Sequence, residues 1–198
     1  MDGIDLILNY LSRSSLITFI VLAWLSIYFI MTFGVLFSRY MFLNSWEAKE
    51  KSSLEAMLMG AKTVRDDSIL KKCSNHSSNE NLLQVCKSVA EKNATSGLWM
   101  LSMIASTSPF IGLFGTVVSI LETFSGLGQS SSASLGIIAP AISEALVATA
   151  AGIFVAIPAY SGHLILKRKA YEVMVYIQRE VDFILSFREK NKEDIKDV

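Results

Sequence analysis

Charged side chains are absent from two long stretches of this 198-residue chain. No Asp, Glu, Lys or Arg occurs from Ser14 to Ser38 or from Asn93 to Leu121. Each stretch is long enough for one membrane span, because a helix needs roughly 20 apolar residues to cross a bilayer. Helices of a soluble bundle would need a polar face, and neither stretch has one at a helical period. The sequence therefore predicts an all-α integral membrane protein.

A third apolar region runs from Thr123 to Leu166 and contains one carboxylate, Glu144, and one histidine, His163. It opens with a glycine- and serine-rich stretch that is typical of a loop. One further span is therefore expected after that loop. The chain should have three transmembrane helices, at residues 14–38, 97–121 and 135–166.

Lysine and arginine are nearly missing from two of the segments outside these spans. Residues 39–96 carry nine of them and residues 167–198 carry eight, whereas residues 1–13 carry only Arg13 and residues 122–134 carry none. The positive-inside rule then predicts that 39–96 and 167–198 are cytoplasmic and that 1–13 and 122–134 lie outside.

Apolar residues at three- and four-residue spacing predict that long helices extend into the cytoplasm. One helix is expected from Trp46 to Val64. Another begins near Glu80 and should run unbroken into the second span, since no proline precedes Pro109. The stripe Met174, Ile177, Val181 and Ile184 predicts that the last helix continues into the tail and frays after about Asn191.

Cysteine is scarce, and both copies, Cys73 and Cys86, fall in the predicted cytoplasmic segment. Cytoplasmic thiols stay reduced, and this spacing matches no metal motif. We expect ordinary thiols, no metal site and no cofactor. The absence of a nucleophile–base set or a phosphate loop argues against an enzyme. The absence of an inverted repeat with paired broken helices argues against a solute carrier.

Glu144 is the one carboxylate well inside a predicted span. It lies about 10–13 Å from the outer end of the third span, at 1.5 Å per residue. An ionisable group at that depth costs about 2.5–3.5 kcal/mol on insertion scales, so it persists where it faces a cavity, has a partner or stays protonated. A carboxyl group removed from water favours its neutral form. Glu144 is therefore a candidate proton-binding group; the alternative is a structural carboxyl bonded to a nearby hydroxyl.

Hydroxyl groups accompany Glu144, and a water-wetted face would use some of them. Thr116 and Thr149 are the two that we place on such a face. Glu144 and Thr149 are about 140° apart on an ideal helix, so Thr149 is expected to face the second span instead. Glu122 ends the second span and is either a solvated interfacial residue or an extra acid at the mouth of a pore. The second span contains six hydroxyls: Ser102, Ser106, Thr107, Ser108, Thr116 and Ser119.

Small residues and prolines predict how these two spans pack. Pro109 and Pro158 each free a backbone carbonyl and favour a kink. Small residues allow helices to approach closely in lipid, and those expected to do so are Gly112, Gly115, Ala145, Ala148 and Gly152.

Two motifs carry a family resemblance. Residues 104–117, Ile-Ala-Ser-Thr-Ser-Pro-Phe-Ile-Gly-Leu-Phe-Gly-Thr-Val, and residues 139–159, which surround Ser-Glu-Ala-Leu-Val-Ala-Thr-Ala-Ala-Gly, resemble the signature of the TolQ/ExbB proteins, relatives of MotA. The motifs lie in consecutive spans in the matching order. Carried over by motif, Glu144 matches the family's intramembrane glutamate, Thr116 and Thr149 its pore threonines, and Pro109 its second-span proline.

The resemblance implies a ring-forming subunit of a bacterial inner-membrane motor, with a periplasmic N-terminus and a cytoplasmic C-terminus. In this family five copies surround the single spans of two TolR-like or ExbD-like chains, which carry proton-binding aspartates. The proton-motive force drives motion, and a TolA-like or TonB-like protein carries the work to the outer membrane. Membrane lipid is the other expected partner, and no nucleic acid is implied.

The short N-terminus and short tail resemble TolQ more than ExbB. The first hypothesis is therefore a Tol-Pal subunit that serves envelope maintenance, protein transport and cell division. The alternative is an ExbB-type subunit that drives siderophore or vitamin import with TonB. A non-conducting membrane scaffold is a third hypothesis. MotA fits less well, because it has four spans and a larger cytoplasmic domain.

Overall fold

The computed structural model describes residues 16–59, 80–127 and 135–196, which form four α-helices. No strand occurs among these residues. Three helical stretches of the described chain are long and apolar enough to cross a membrane. The predicted all-α membrane fold is thereby confirmed. The helices are α1 (Leu16–Leu58), α2 (Glu80–Thr95), α3 (Leu98–Leu127) and α4 (Leu135–Lys196).

The described residues divide into two compact units. The first, here called the apolar unit, contains residues 16–35 and 100–163. The second, here called the charged unit, contains residues 36–59, 80–99 and 164–196. Glu122 and Glu144 are the only Asp, Glu, Lys or Arg among the described residues of the apolar unit, whereas the charged unit holds every described Lys and Arg.

The core of the apolar unit combines residues from three helices. Val21 and Leu25 of α1 pack with Ile104 of α3 and with small residues of α4. The rings of Phe29 and Phe154 stack with their centroids 5.6 Å apart. Many large apolar side chains point outward instead, among them Phe110, Phe114, Leu146 and Ile157. Small residues inside and large ones outside are typical of helices that pack within lipid.

The core of the charged unit is an amphipathic seam. Leu43, Leu83 and Leu166 are fully buried, and so are Ile177 and Val181 of the predicted tail stripe. Two carboxylates are also fully buried in this unit, Glu50 and Glu180. The indole Nε1 of Trp46 donates a hydrogen bond of 2.8 Å to Oε1 of Glu50. Sequence reasoning singled out neither carboxylate.

Two predictions about helix boundaries are wrong. The helix that begins near Glu80 does not run unbroken into the second span, because Ser96 and Gly97 form a turn between α2 and α3. Gly97 has a φ of 80°, which glycine adopts at little cost. The last helix does not end near Asn191 but continues to Lys196, since its final turns contain good helix formers and neither glycine nor proline.

Two other predicted segments lie partly outside the described residues. α1 ends at Leu58, and the rest of the helix predicted to reach Val64 lies outside them. α3 continues to Leu127, so the first part of the predicted loop 122–134 is helical. The remainder of that loop is outside the described residues.

The expectation of two ordinary thiols is wrong for Cys86, which is disulfide-bonded. Cys73 lies outside the described residues. The expectation rested on the reducing cytoplasm, which sets a redox equilibrium. The distance between two sulfur atoms depends on tertiary structure, and the sequence spacing did not reveal it.

Candidate functional site

The site is built where α3 and α4 come into backbone contact. A Cβ atom added at Gly112 would lie 2.6 Å from the carbonyl oxygen of Ala148 and 3.0 Å from the Cα atom of Thr149. A Cβ atom added at Gly152 would lie 2.6 Å from the carbonyl oxygen of Ser108. Glycine at both positions therefore sets the distance between the two helices.

The small residues singled out from the sequence meet at this contact. Ala145 and Ala148 are fully buried. A Cβ atom added at Gly115 would lie 3.2 Å from the Cβ atom of Ala148 and 3.1 Å from Cγ1 of Val21, so α1 also reaches this point. Three helices thus converge around side chains that have little volume.

Thr116 and Thr149 form a hydroxyl pair across the contact. The two hydroxyl oxygens are within hydrogen-bond distance. The hydroxyl of Thr116 also lies 3.0 Å from the carbonyl oxygen of Ala145 on α4 and 3.2 Å from that of Gly112 on its own helix. A hydroxyl has one proton and two lone pairs. When Thr116 donates to a carbonyl, it therefore accepts from Thr149, which faces α3 as the helical spacing predicts.

Glu144 directly precedes Ala145, whose carbonyl holds Thr116. Its side chain is half-buried. At 100° per residue it points within about 20° of Val155, eleven residues later. Val155 belongs to the core cluster with Val21 and Leu25 of α1. On α4, Glu144 therefore lies close to the line of Val155 and about 140° from Thr149.

Glu122 is not brought to this hydroxyl pair. It is exposed on α3, and six residues separate it from Thr116. That separation corresponds to about 9 Å along the helix and a rotation of about 120°. The described structure thus places Glu122 toward the C-terminal end of α3, apart from the threonines.

The prolines lie inside continuous helices. Pro109 is within α3, and Pro158 is within α4 together with Pro140, which sequence reasoning did not single out. Several hydroxyls of α3 bond back to their own helix. Ser106 and Thr107 donate to the carbonyl of Met103 at 3.0 and 2.8 Å. These hydroxyls still have free acceptor lone pairs.

The charged unit has polar contacts of another kind. The guanidinium of Arg39 donates to the carbonyl oxygens of Asn93 at 2.6 Å and Ala94 at 3.2 Å, and so caps the end of α2. Nζ of Lys169 lies 2.6 Å from a carboxylate oxygen of Glu47. This hydrogen bond raises the pKa of Lys169, and the negative charges of nearby groups add to it against an opposing effect of burial.

The fold and the site together define the class of protein to which this chain belongs. The apolar unit places one carboxyl group and a hydroxyl pair on two helices in backbone contact, within helices able to span a membrane. Ionisable groups inside spans mark ion or proton pathways in membrane proteins. The molecule is therefore a helical membrane protein that has a polar site between its spans.

Comparison with known proteins gives the family. The model of the MotA/TolQ/ExbB proton channel family matches residues 50–179. This chain belongs to the MotA/TolQ/ExbB proton channel family.

Relatives named ExbB and relatives named TolQ are both similar to this chain. The biopolymer transport protein ExbB-like 1 of Helicobacter pylori is 47% identical over 187 residues, which cover 92% of this chain and 98% of the relative. The biopolymer transport protein ExbB of Pseudomonas putida is 37% identical over 54% of this chain and 31% of its own length. The Tol-Pal system protein TolQ of Pseudomonas aeruginosa is 47% identical over 39% of this chain and 33% of its own length.

Proposed function

We propose that this chain is the proton-handling ring subunit of an inner-membrane motor that uses the proton-motive force to do work at the outer membrane. One observation carries the proposal. Glu144 directly precedes Ala145, whose carbonyl lies 3.0 Å from the Thr116 hydroxyl, and Thr116 pairs with Thr149 across two helices whose distance is set by glycine. The described part of the apolar unit has no Lys or Arg, and besides Glu144 it has only one other carboxyl group.

The chemistry is reversible protonation of Glu144. A neutral carboxyl group tolerates an apolar surrounding, and a carboxylate there needs water or another polar group. Loading and releasing a proton therefore changes which surroundings Glu144 favours. The hydroxyl pair adds groups that donate and accept at once, which suits a short water chain beside the carboxyl group. Backbone contact between α3 and α4 holds these groups in fixed register.

The assembly that we propose is a ring of five copies around two single-span chains of the TolR or ExbD type. The large apolar side chains exposed on α3 and α4 support it, because a ring gives such faces neighbouring helices as well as lipid. A TolA-like or TonB-like protein would take the work to the outer membrane. The N-terminus is proposed to be periplasmic and the C-terminus cytoplasmic, as the distribution of basic residues predicts.

Two processes are candidates for the work. Import driven with a TonB-like protein is favoured by the ExbB-like relative, which is similar over nearly its whole length. Envelope maintenance of the Tol-Pal type is favoured by the TolQ relative, which is 47% identical over 39% of this chain. The native mass of the complex, purified in mild detergent from its own host, decides between them. ExbD-like companions would indicate import, and TolR-like companions would indicate envelope maintenance.

Substitution of Glu144 tests the proton-handling role. Glu144→Gln keeps the shape and removes the titrating group, so we expect the complex to assemble at its normal mass and the outer-membrane process to stop. Glu91→Gln, an exposed carboxylate on α2, is the matched control and should behave as the parent. Full activity of Glu144→Gln would favour the scaffold hypothesis, which also predicts that bulky residues at Ala145 or Ala148 abolish assembly.

A further inference from the structure

Three consecutive basic residues, Lys167, Arg168 and Lys169, follow a long uncharged stretch of α4. Residues 145–166 contain no Asp, Glu, Lys or Arg. At 1.5 Å per residue this stretch measures about 33 Å, close to the roughly 30 Å thickness of the hydrocarbon core of a bilayer. The length of the stretch therefore indicates that Lys167 and Arg168 lie where α4 leaves the hydrocarbon and meets the phospholipid headgroups.

The three basic side chains differ in where they point. Lys169 turns toward α1, where its Nζ lies 2.6 Å from a carboxylate oxygen of Glu47. Lys167 and Arg168 are exposed, and the side chain of Arg168 is 72% accessible to solvent. Two adjacent cations thus project from the surface of the charged unit.

Lys167 and Arg168 share one side of α4 with two exposed residues of another kind, Leu164 and Tyr171. Residues three and four positions apart are neighbours on a helix surface, and these four residues are related by such spacings. Leu164 is 47% exposed and Tyr171 62% exposed. All four belong to the charged unit. We call this set of four residues the basic face of α4.

The guanidinium of Arg168 is held in place by contacts within its own helix. Its Nε donates a hydrogen bond of 2.7 Å to Oε1 of Glu172, and its Cζ lies 5.9 Å from the centre of the Tyr171 ring. The guanidinium has further N–H groups on its two terminal nitrogens, and such a pair binds a phosphate through two parallel hydrogen bonds. Glu172 offsets one positive charge, and Lys167 leaves this surface with a net positive charge.

We propose that the basic face of α4 binds the headgroup of an anionic phospholipid. The lipid phosphate accepts hydrogen bonds from the Arg168 guanidinium and the Lys167 ammonium, and an acyl chain lies beside Leu164. Soluble phosphate compounds have the same anionic group, but the exposed leucine and the position at the end of a span favour a lipid. Tyrosine is also enriched at the level of the headgroups. The inference goes beyond proton handling and requires only that α4 spans the membrane.

Lipid binding to the whole complex tests this site. The purified complex is delipidated in mild detergent and titrated with phosphatidylglycerol or phosphatidylcholine, and native mass spectrometry counts the bound lipids. Each Lys or Arg at a membrane surface strengthens the binding of anionic lipid by about fivefold. We expect the parent to bind phosphatidylglycerol at least about tenfold more tightly than phosphatidylcholine, and Arg168→Gln or Lys167→Gln to lower this preference about fivefold.

Arg179 provides the matched control. It is exposed on α4 and follows Arg168 by 11 residues, which correspond to a rotation of about 20° and a distance of about 17 Å along the helix. That distance exceeds the Debye length of about 10 Å in 0.1 M salt. Arg179→Gln removes the same charge from the same side of α4 and should keep the parent's preference. Equal losses from Arg168→Gln and Arg179→Gln would mean that net charge attracts the lipid, and would overturn the inference.

The parent complex also gives a test that needs no variant. Equal affinity for phosphatidylglycerol and phosphatidylcholine would overturn the inference. Displacement of bound phosphatidylglycerol by soluble glycerol phosphate would do so too, because it would identify a phosphate site that does not require a lipid.

The same spectra report how many copies of the chain assemble. We expect the double variant Lys167→Gln with Arg168→Gln to keep the parent's number of copies while its preference for phosphatidylglycerol falls. A smaller assembly in this variant would show that the basic face of α4 is a contact between copies of the chain, and the lipid site would be wrong.

Discussion

The apolar unit and the charged unit are each stabilised internally by different interactions. In the apolar unit, α3 and α4 meet through Gly112 and Gly152, and the polar contact between them is made by hydroxyls. In the charged unit, Arg39 caps a helix end and Lys169 pairs with Glu47. The difference follows from the solvent. Lipid gives no hydrophobic force between helices, so close packing and hydrogen bonds must associate them.

The same comparison shows what a buried carboxyl group signifies. Glu50 is fully buried in the charged unit, where the indole of Trp46 donates to it and charged residues abound. Glu144 is only half-buried, yet it lies in helices able to span a membrane. Burial alone therefore does not identify the carboxyl group that we propose to bind protons. The apolar unit around Glu144 favours that proposal.

The largest effect is expected at the glycine contact. Gly112→Ala or Gly152→Ala places a methyl group against backbone carbonyls at 2.6 Å, and overpacking of this kind costs about 1–3 kcal/mol. We predict a loss of about 2 kcal/mol in the free energy of unfolding, measured in mild detergent. Gly34→Ala is the matched control, because a Cβ atom there meets nothing within 4 Å. Equal effects at Gly34 and Gly112 would mean that helix propensity, and not close contact, determines the change in the free energy of unfolding.

The next effect is expected in the charged unit. Arg39→Met removes two hydrogen bonds from a charged donor to the end of α2, and bonds of that kind contribute about 1.5 kcal/mol or more. We predict a loss of about 1.5 kcal/mol in the free energy of unfolding and faster amide exchange at the end of α2. Arg168→Met removes an exposed arginine and should have little effect. Comparable losses from the two variants would show that net charge matters rather than the cap.

A smaller effect is expected from the hydroxyl pair. Thr116→Val and Thr149→Val keep the side-chain shape, and interhelical hydrogen bonds in membranes contribute on average about 0.6 kcal/mol. We predict a loss of about 1 kcal/mol or less for each variant. Because the two hydroxyls share one bond, the double variant should lose less than the sum. Strict additivity in this double-mutant cycle would rule out coupling between them.

The smallest effect is expected from Lys169 and Glu47, since partly exposed ion pairs contribute about 0.2–1 kcal/mol. Lys169 has a raised pKa in the folded protein. Its stabilising effect is therefore complete below the ordinary lysine value of about 10.4 and is lost as the pH rises through the raised value. Unfolding measured between pH 8 and about pH 11 should show this decline in the parent but not in Lys169→Met. A parent curve that parallels the variant would mean the pair contributes nothing.

Much of the apolar unit could be predicted from the sequence, because lipid restricts what can lie in it. The gaps between charged residues revealed three spans. The 140° between Glu144 and Thr149 predicted which of them faces α3, since helix geometry is local. The close packing at Gly112 and Gly152 could be predicted for the same reason, because the spacing of small residues along a helix is also local.

The charged unit was less predictable, because its contacts join distant parts of the chain. Arg39 reaches Ala94, 55 residues away, and Lys169 reaches Glu47, 122 residues away. The turn at Gly97 depends on a positive φ, and no proline in the sequence indicated it. The buried position of Glu50 depends on tertiary packing. Periodicity alone does not record such contacts.

Direct observation of the Glu144 carboxyl group tests the central claim. Infrared difference spectroscopy of the reconstituted complex under an imposed proton gradient, parent minus Glu144→Gln, isolates its carbonyl stretch. We predict that a protonated-carboxyl band grows and fades with the gradient and is missing from the Glu144→Gln sample. A spectrum of the parent that does not change with the gradient would contradict the claim that Glu144 binds and releases protons.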